Sequence, residues 1–292
     1  MRFPFITTTA VLALSLASVA RCAEVHPRWP FFAFDNGLRE LSPAQQASLL
    51  KELGYAGISY TGTNDLARWL KAFDDAGLRV FNLYVGATIG KDRATYDPGI
   101  PDAMKLLKGR DTALWLFVTR APDAATGPAA ETQAVHVVRE IADLAAAGGV
   151  QVVLYPHTGM YVETTGDAVR LAKAVDRSNV GVTFNLCHFL RVDKPEDLER
   201  VLTEAAPLLR FVSINGADAD AKDWSRLIRP LDEGSFDVGK VLRVLDRIGY
   251  RQPIGLQCYD IKLTPREHLS RSMMAWRKLA GPFQSSAKTH TK

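Results

Sequence analysis

Two histidines and several polar side chains stand inside otherwise apolar stretches in the second half of the chain. The ordinary imidazole pKa is about 6.5, so His157 and His188 are candidates for taking up or releasing a proton at neutral pH. Amide and hydroxyl groups both donate and accept hydrogen bonds, which suits the hydroxyl groups of a polyol. The further candidates for ligand binding are Tyr155, Asn185, Asn215, Gln257, Arg120, Asp218 and Tyr259.

Eight short runs alternate with longer amphipathic stretches from residue 31 onward, and these elements must position the polar groups. Most runs are apolar almost throughout, which is typical of parallel strands covered on both faces. Several amphipathic stretches begin after Ser, Thr, Asp or Pro and end at Gly, the usual start and stop signals of helices. The runs span residues 31–36, 57–62, 80–86, 113–119, 151–157, 181–188, 210–216 and 254–260.

Eight strand–helix units of roughly 31 residues each predict an α/β protein, a single (β/α)8 TIM barrel over residues 31–280. This count leaves no room for a second domain. An open doubly wound sheet is the alternative, and it would carry a glycine-rich turn after its first strand. The first run ends in Asp35-Asn36-Gly37, which lacks that pattern, and the sequence contains no P-loop.

The predicted barrel also predicts where a site would lie. A TIM barrel places its active site at the carboxyl ends of the strands and in the loops that follow. A single His or Asn at such an end is commonly structural, but amide, hydroxyl and imidazole groups on four successive strands favour one shared pocket. A polar side chain that points into a barrel without a partner costs about 1–3 kcal/mol, which supports the same prediction.

Composition and charge exclude several classes of protein. The chain has 292 residues, of which 47% are hydrophobic and 23% charged, as in ordinary globular proteins. These values exclude a disordered chain, a collagen-like repeat and a small disulfide-rich protein. Lys and Arg exceed Asp and Glu by only four, 36 against 32. A nucleic-acid-binding face needs concentrated basic residues with stacking aromatics, so nucleic acid is not a predicted partner.

Residues 1–23 have the pattern of a secretory signal peptide. Arg2 supplies a positive start, and residues 10–20 are almost wholly apolar and end in small residues. This stretch is shorter than the about 20 apolar residues that a membrane-spanning helix needs. We therefore expect a secreted or periplasmic protein with no integral membrane segment after cleavage. The alternative is an apolar first helix of the fold. Residues 281–292 are polar and are expected to form a flexible tail.

Two segments carry a resemblance to a known family. Residues 230–257 read PLDEGSFDVGKVLRVLDRIGYRQPIGLQ, and residues 175–190 read VDRSNVGVTFNLCHFL. The first segment resembles the end of the barrel in the sugar-phosphate isomerase/epimerase family, the xylose-isomerase-like TIM barrels. The second resembles the sixth strand of the same family. The resemblance covers residues 31–280 and implies the same barrel. It does not identify a substrate.

The resemblance also implies where a metal would be held. Members of that family typically bind a divalent cation through Glu, Asp, His and Glu on strands five to eight, and the matching residues here are Tyr155, Asn185, Ser213 and Gln257. Hard divalent cations need carboxylate ligands or several oxygen and nitrogen donors. We therefore expect a divergent member that lacks the usual metal site and its pair of glutamate bases. A divalent metal held in a rebuilt site by His157, His188, Asn215 and Gln257 is the alternative.

The expected function follows from these substitutions. The leading hypothesis is a secreted carbohydrate-active enzyme of the isomerase, epimerase or lyase type that removes a proton next to a sugar carbonyl. His157 or His188 would serve as acid or base, and the resemblance implies that His188 contacts a substrate oxygen. A barrel that binds a small carbohydrate without turning it over is the second hypothesis. Glycoside hydrolysis ranks third, because it needs two facing carboxyl groups and the candidates, Asp218, Asp260 and Glu163, follow the strands in loops.

Overall fold

The computed structural model describes residues 28–283. The predicted signal segment, residues 1–23, lies outside the described residues, and so does the predicted tail from residue 284 onward. The described fold extends slightly beyond the predicted barrel bounds at both ends. Trp29 packs against Trp276 and Phe283, with ring centroids 6.4 and 5.4 Å apart, and Gly281–Phe283 forms a turn of 3₁₀-helix.

Eight parallel strands form a closed barrel, as the sequence predicts. The first strand pairs with both the second and the last, and the remaining strands pair in chain order, so the barrel has no open edge. A two-residue strand, β4 (Thr95–Tyr96), pairs antiparallel with the end of β3 (Arg79–Ile89) and lies outside this ring. The strands are β1 (Phe31–Phe34), β2 (Gly57–Thr61), β3 (Arg79–Ile89), β4 (Thr95–Tyr96), β5 (Ala113–Arg120), β6 (Val152–Leu154), β7 (Val180–Asn185), β8 (Leu209–Ile214) and β9 (Ile254–Leu256).

Helices connect the strands and cover the outside of the barrel. Two of them begin with reciprocal capping boxes, at Ser42 with Gln45 and at Thr164 with Asp167. None of the helices within residues 28–283 is long and apolar enough to cross a membrane. The helices are α1 (Pro43–Leu53), α2 (Leu66–Ala76), α3 (Ile100–Leu107), α4 (Gly127–Ala146), α5 (Thr165–Val175), α6 (Leu186–Val192), α7 (Leu198–Ala205), α8 (Trp224–Leu227), α9 (Gly239–Arg247) and α10 (Pro265–Ala280).

Aromatic rings fill the barrel interior. Phe32 stacks on Phe81 with centroids 4.7 Å apart, and Trp115 meets Phe211 edge to face at 5.3 Å. Gly255 of β9 makes room for this packing, because a Cβ atom there would lie 2.7 Å from ring carbons of Phe32 and Phe34. The packed rings close the barrel from below. A TIM barrel places its site above such a core, at the carboxyl ends of the strands.

Six of the eight predicted runs extend past the end of their strand, by one to four residues. Tyr155 still donates its N–H to Leu116, but Pro156 has no N–H, so the ladder beyond β6 stops. The run 181–188 is strand only as far as Asn185, after which α6 begins at once. His188 therefore lies on a helix that starts at the mouth of the barrel, and it is not on a strand as the sequence predicts.

Candidate active site

A pocket of about 480 Å³ opens at the carboxyl ends of the barrel strands. Its floor is the upper surface of the aromatic core, and its rim is formed by the loops and by α6 and α8. The wall contains two histidines and two arginines, and no carboxylate from the described part of the chain. The lining residues are Phe34, Asn36, Arg39, Ser59, Thr61, Tyr84, Trp115, Tyr155, His157, Thr158, His188, Arg191, Trp224, Ile228, Gln257 and Tyr259.

Tyr155 forms the centre of the pocket floor. Its hydroxyl accepts a hydrogen bond from the Nδ2 amide of Asn185. Its ring packs against Trp115, with centroids 5.1 Å apart, and edge-on against Tyr84 at 5.0 Å. Burial raises the pKa of Tyr155 well above its ordinary value, although the amides of Asn185 and Gln257 beside the hydroxyl partly oppose this. The hydroxyl therefore stays protonated at neutral pH.

Gln257 is fixed by backbone and side-chain donors. Its Oε1 accepts hydrogen bonds from Asn36 Nδ2 at 2.7 Å and from the backbone N–H groups of Cys258 and Tyr259 at 3.0 and 3.1 Å. A backbone N–H can only donate, so these contacts identify the accepting atom as the side-chain oxygen. The Nε2 group is the part of Gln257 that remains for Tyr155 or a ligand.

His157 and His188 lie next to each other on the pocket wall, with ring centroids 4.1 Å apart. Thr158 contacts both rings. His157 Nδ1 lies 2.9 Å from the carbonyl oxygen of Thr158, whereas His188 Nδ1 lies 3.4 Å from its backbone N–H and 3.2 Å from its Oγ1. A carbonyl can only accept and an N–H can only donate. The contacts therefore place a proton on Nδ1 of His157 and a lone pair on Nδ1 of His188.

Burial keeps both rings neutral. It lowers the pKa of His157 below its ordinary value, and it lowers that of His188 well below, with the neighbouring His157 adding to the effect. A neutral imidazole carries one proton. Nε2 of His157 is consequently a lone-pair acceptor, and Nε2 of His188 is an N–H donor. Neither Nε2 has a hydrogen-bond partner among the described residues, so both are available to a ligand.

Four predicted site residues lie outside the pocket lining, namely Arg120, Asn185, Asn215 and Asp218. Asn215 is fully buried and donates its amide to the carbonyls of Gly216 and Leu227, both at 2.7 Å. Asp218 accepts hydrogen bonds from Arg226 at 2.9 Å and from Arg229 and Ser235, so it anchors the loop after β8. Arg120 is exposed and covers the ring of Tyr161 at 4.8 Å. Asn185 supports Tyr155 from below, and the remaining predicted residues line the pocket.

Several pocket residues are absent from the sequence-based set. Arg191 lies one helical turn after His188 on α6, and Trp224 on α8 places its ring 5.4 Å from the His188 ring. Two buried or half-buried polar atoms of the lining have no protein partner in the described region, namely Trp115 Nε1 and Asn36 Oδ1. Unpaired polar atoms in a pocket are expected to bond to water or to a ligand.

One family of proteins matches most of the barrel. The description of this family is xylose isomerase-like TIM barrel, and the match covers residues 47–279. The chain belongs to the xylose isomerase-like TIM barrel family. This membership confirms the resemblance seen in the sequence. No curated protein matches the sequence significantly.

Solved structures of xylose isomerase-like barrels superpose on the whole fold. A 3-keto-D-glucoside 4-epimerase from E. coli is 18% identical with a TM-score of 0.67, covering 86% of this chain and 99% of its own. A D-allulose 3-epimerase from Methylomonas sp. is 14% identical with a TM-score of 0.66, covering 87% and 99%. A Mycobacterium smegmatis barrel in complex with magnesium is 18% identical with a TM-score of 0.63, covering 87% and 96%. At sequence identities of 14–18%, the structural similarity shows that these proteins share the fold of this chain.

The residues at the family's usual metal positions do not fit a divalent cation. Tyr155 keeps its proton, both polar atoms of Asn185 are used by Tyr155 and Cys187, and Gln257 Oε1 already accepts three hydrogen bonds. The fourth position, Ser213, is a neutral hydroxyl. The alternative set fits no better, because Asn215 lies outside the pocket. Within residues 28–283, no group of three or more His, Cys, Asp or Glu side chains is placed to hold a metal ion.

Proposed function

We propose that this protein is a sugar isomerase- or epimerase-like enzyme that moves a proton at a carbon next to a carbonyl group. The observation that carries the proposal is the pair of neutral histidines held in opposite tautomers by Thr158. Nε2 of His157 offers a lone pair, and Nε2 of His188 offers an N–H. These are the two groups that enolisation requires.

His157 acts as the base in this proposal. Its Nε2 takes the proton from carbon, and the electrons of the broken C–H bond form a carbon–carbon double bond while the carbonyl electrons move onto oxygen. His188 Nε2–H donates a hydrogen bond to that oxygen as its negative charge develops. A positioned base contributes about 10²–10⁴-fold, and one donor to a developing oxyanion about 10²–10³-fold.

The pocket wall offers one base in the described part of the chain. The Nδ1 lone pair of His188 is already used by Thr158, and no carboxylate lines the pocket. The proton is therefore returned from the same side, either to the original carbon or to its neighbour. This arrangement favours isomerisation, in which the proton moves to the adjacent carbon while the hydroxyl proton on that carbon passes to the former carbonyl oxygen. Loss of a leaving group from the enolate, which is the lyase outcome, needs the same first step.

The comparisons support a carbohydrate as the substrate. Two of the structurally similar family members are named as sugar epimerases, acting on a 3-keto-D-glucoside and on D-allulose. The pocket supports the same class, because it combines aromatic faces with amide and hydroxyl groups. We also propose export of the enzyme, on the strength of the signal-like pattern in residues 1–23.

Sugar binding without turnover is the second candidate. The observation that favours it is the rim, where the exposed rings of Trp224 and Tyr259 flank the opening. Such rings hold a sugar without any chemistry. Glycoside hydrolysis has less support, since Asp218 is engaged by arginines, Asp260 by Lys262 and Glu163 by the N–H of Gly159.

Solvent exchange tests the proposal. The protein is incubated in D₂O with a panel of ketoses, aldoses and 3-keto sugars, and loss of the C–H signal next to the carbonyl is followed by proton NMR. We expect exchange into at least one sugar, and a loss of about 100-fold or more in His157→Gln. His136→Gln is the matched control, because His136 is an exposed residue of α4. Binding of a sugar without any exchange would instead establish the binding barrel.

A further inference from the structure

The charge on the pocket wall is one-sided. Arg39 and Arg191 line it, and no Asp or Glu of the described residues does. The two histidines add no negative charge, and burial keeps them neutral. The charged side chains that line the pocket are therefore both positive.

Arg191 is the less compensated of the two arginines. Its guanidinium lies 5.7 Å from the ring of Trp224 and forms no ion pair or side-chain hydrogen bond within residues 28–283. By contrast, Arg226 and Arg229 in the adjoining loop are both paired with Asp218. A half-buried guanidinium with five N–H donors and no acceptor is suited to bind a carboxylate or phosphate.

Arg39 has a partial counter-charge. Asp35 lies behind the pocket wall, and the Arg39 charge favours its ionised form. Both carboxylate oxygens of Asp35 are used by Thr61, at 2.9 Å for the N–H and 2.6 Å for the hydroxyl. Burial is the larger effect and raises the pKa of Asp35. Arg39 therefore adds positive potential at the mouth, whereas Arg191 is the better anchor.

The position of Arg191 relates it to the reacting atoms. His188 and Arg191 are three residues apart on α6, which places them on the same face of the helix. The Trp224 ring lies close to both, with its centroid 5.4 Å from that of the His188 ring and 5.7 Å from the Arg191 guanidinium. An anion held by Arg191 would thus lie beside the carbon that the histidines act on.

We propose that the substrate is an anionic sugar whose carboxylate or phosphate group is bound by Arg191. This inference rests on the proposed function for the reacting carbon, but the anion site itself requires only binding. Uronic acids and sugar phosphates share the necessary chemistry. Both groups match the planar fork of a guanidinium.

Binding of matched sugars tests the anion site. Glucuronate, galacturonate and mannuronate are each compared with the neutral hexose and with the hexose 6-phosphate, by calorimetric titration of the whole protein at low salt. We expect the wild type to bind at least one acid about ten-fold or more tightly than its neutral counterpart, as a charge-assisted hydrogen bond implies. Whether the carboxylate or the phosphate series shows the preference decides between the two sources.

Variants assign the preference to one residue. Arg191→Gln is expected to remove it, Arg39→Gln to reduce it, and Arg251→Gln to leave it unchanged. Arg251 is exposed, carries the same charge and lies at the opposite end of the barrel, before β9. Equal binding of acids and neutral sugars by the wild type, or a preference that survives in Arg191→Gln, would overturn the proposal. A preference without any solvent exchange would leave the anion site standing and refute the catalytic function alone.

Discussion

Acid should destabilise this protein through His268, and the size of the effect follows from the structure. His268 lies in α10 and is 3% exposed, and its Nε2 has no partner among the described residues. Burial lowers its pKa from 6.5 to about 4, and the charge of Arg271 acts in the same direction while Asp232 opposes it. The unfolded chain therefore binds a proton at a pH where the folded protein does not.

The direction and size of the change in the free energy of unfolding follow from this difference in pKa. The folded pKa is the lower one, so the contribution of neutral His268 is complete above about pH 6.5 and is lost as the pH falls towards about 4. Each unit by which the pH falls within this window lowers the free energy of unfolding by about 1.4 kcal/mol, and the whole window lowers it by about 3 kcal/mol. Between about pH 7.5 and about pH 4.5 the expected loss is about 2.5 kcal/mol.

Urea denaturation at a series of pH values measures this loss. The free energy of unfolding of His268→Gln is expected to fall by about 2.5 kcal/mol less than that of the wild type over the same range, because glutamine does not titrate. His136→Gln replaces an exposed histidine and is the matched control for the substitution. If His268→Gln and wild type showed the same dependence, burial would not hold this ring neutral. The same reasoning about His188 would then fail.

Three further outcomes are expected. Tyr155→Phe leaves the Asn185 amide without its acceptor and should lower the free energy of unfolding by about 1–3 kcal/mol in urea, whereas Tyr259→Phe, an exposed position, should not change it. Burial raises the pKa of Cys187 and Cys258 to about 12, so peptide mapping should find neither alkylated by iodoacetamide in the native protein. Because burial lowers the pKa of His157, the rate of solvent exchange should stay constant at neutral pH and decline only below about pH 6.5; a midpoint above neutrality would contradict the assignment of the base.

The barrel and part of the pocket could be predicted because both follow from local patterns. Eight apolar runs separated by amphipathic stretches specify the strands, and the topology then brings Tyr155, His157 and Gln257 to one end. Arg191 was missed because the run 181–188 resembles a strand throughout, whereas α6 begins at Leu186. If the chain is taken as helical from Leu186 onward, His188 and Arg191 lie three residues apart on the same face of the helix.

For Asp218 the error is the reverse, because the sequence predicts a binding residue and the structure places it outside the pocket lining. A carboxylate just after a strand end is a reasonable ligand-binding candidate in a TIM barrel. Its partners, Arg226 and Arg229, come eight and eleven residues later, in a loop that folds back on itself. Nothing in the local sequence shows that return. For the same reason Trp224 could not be placed at the pocket rim, because it lies on a one-turn helix within that loop.

The central claim is that Thr158 holds His157 and His188 as a neutral base and a neutral donor. Nitrogen NMR of protein labelled with ¹⁵N-histidine at about pH 7.5 tests it directly, since the two ring nitrogens report which one carries the proton. Spectra of His157→Gln and His188→Gln assign the signals. We expect His157 to be protonated only on Nδ1 and His188 only on Nε2. A doubly protonated ring, or the same tautomer in both residues, would contradict the account.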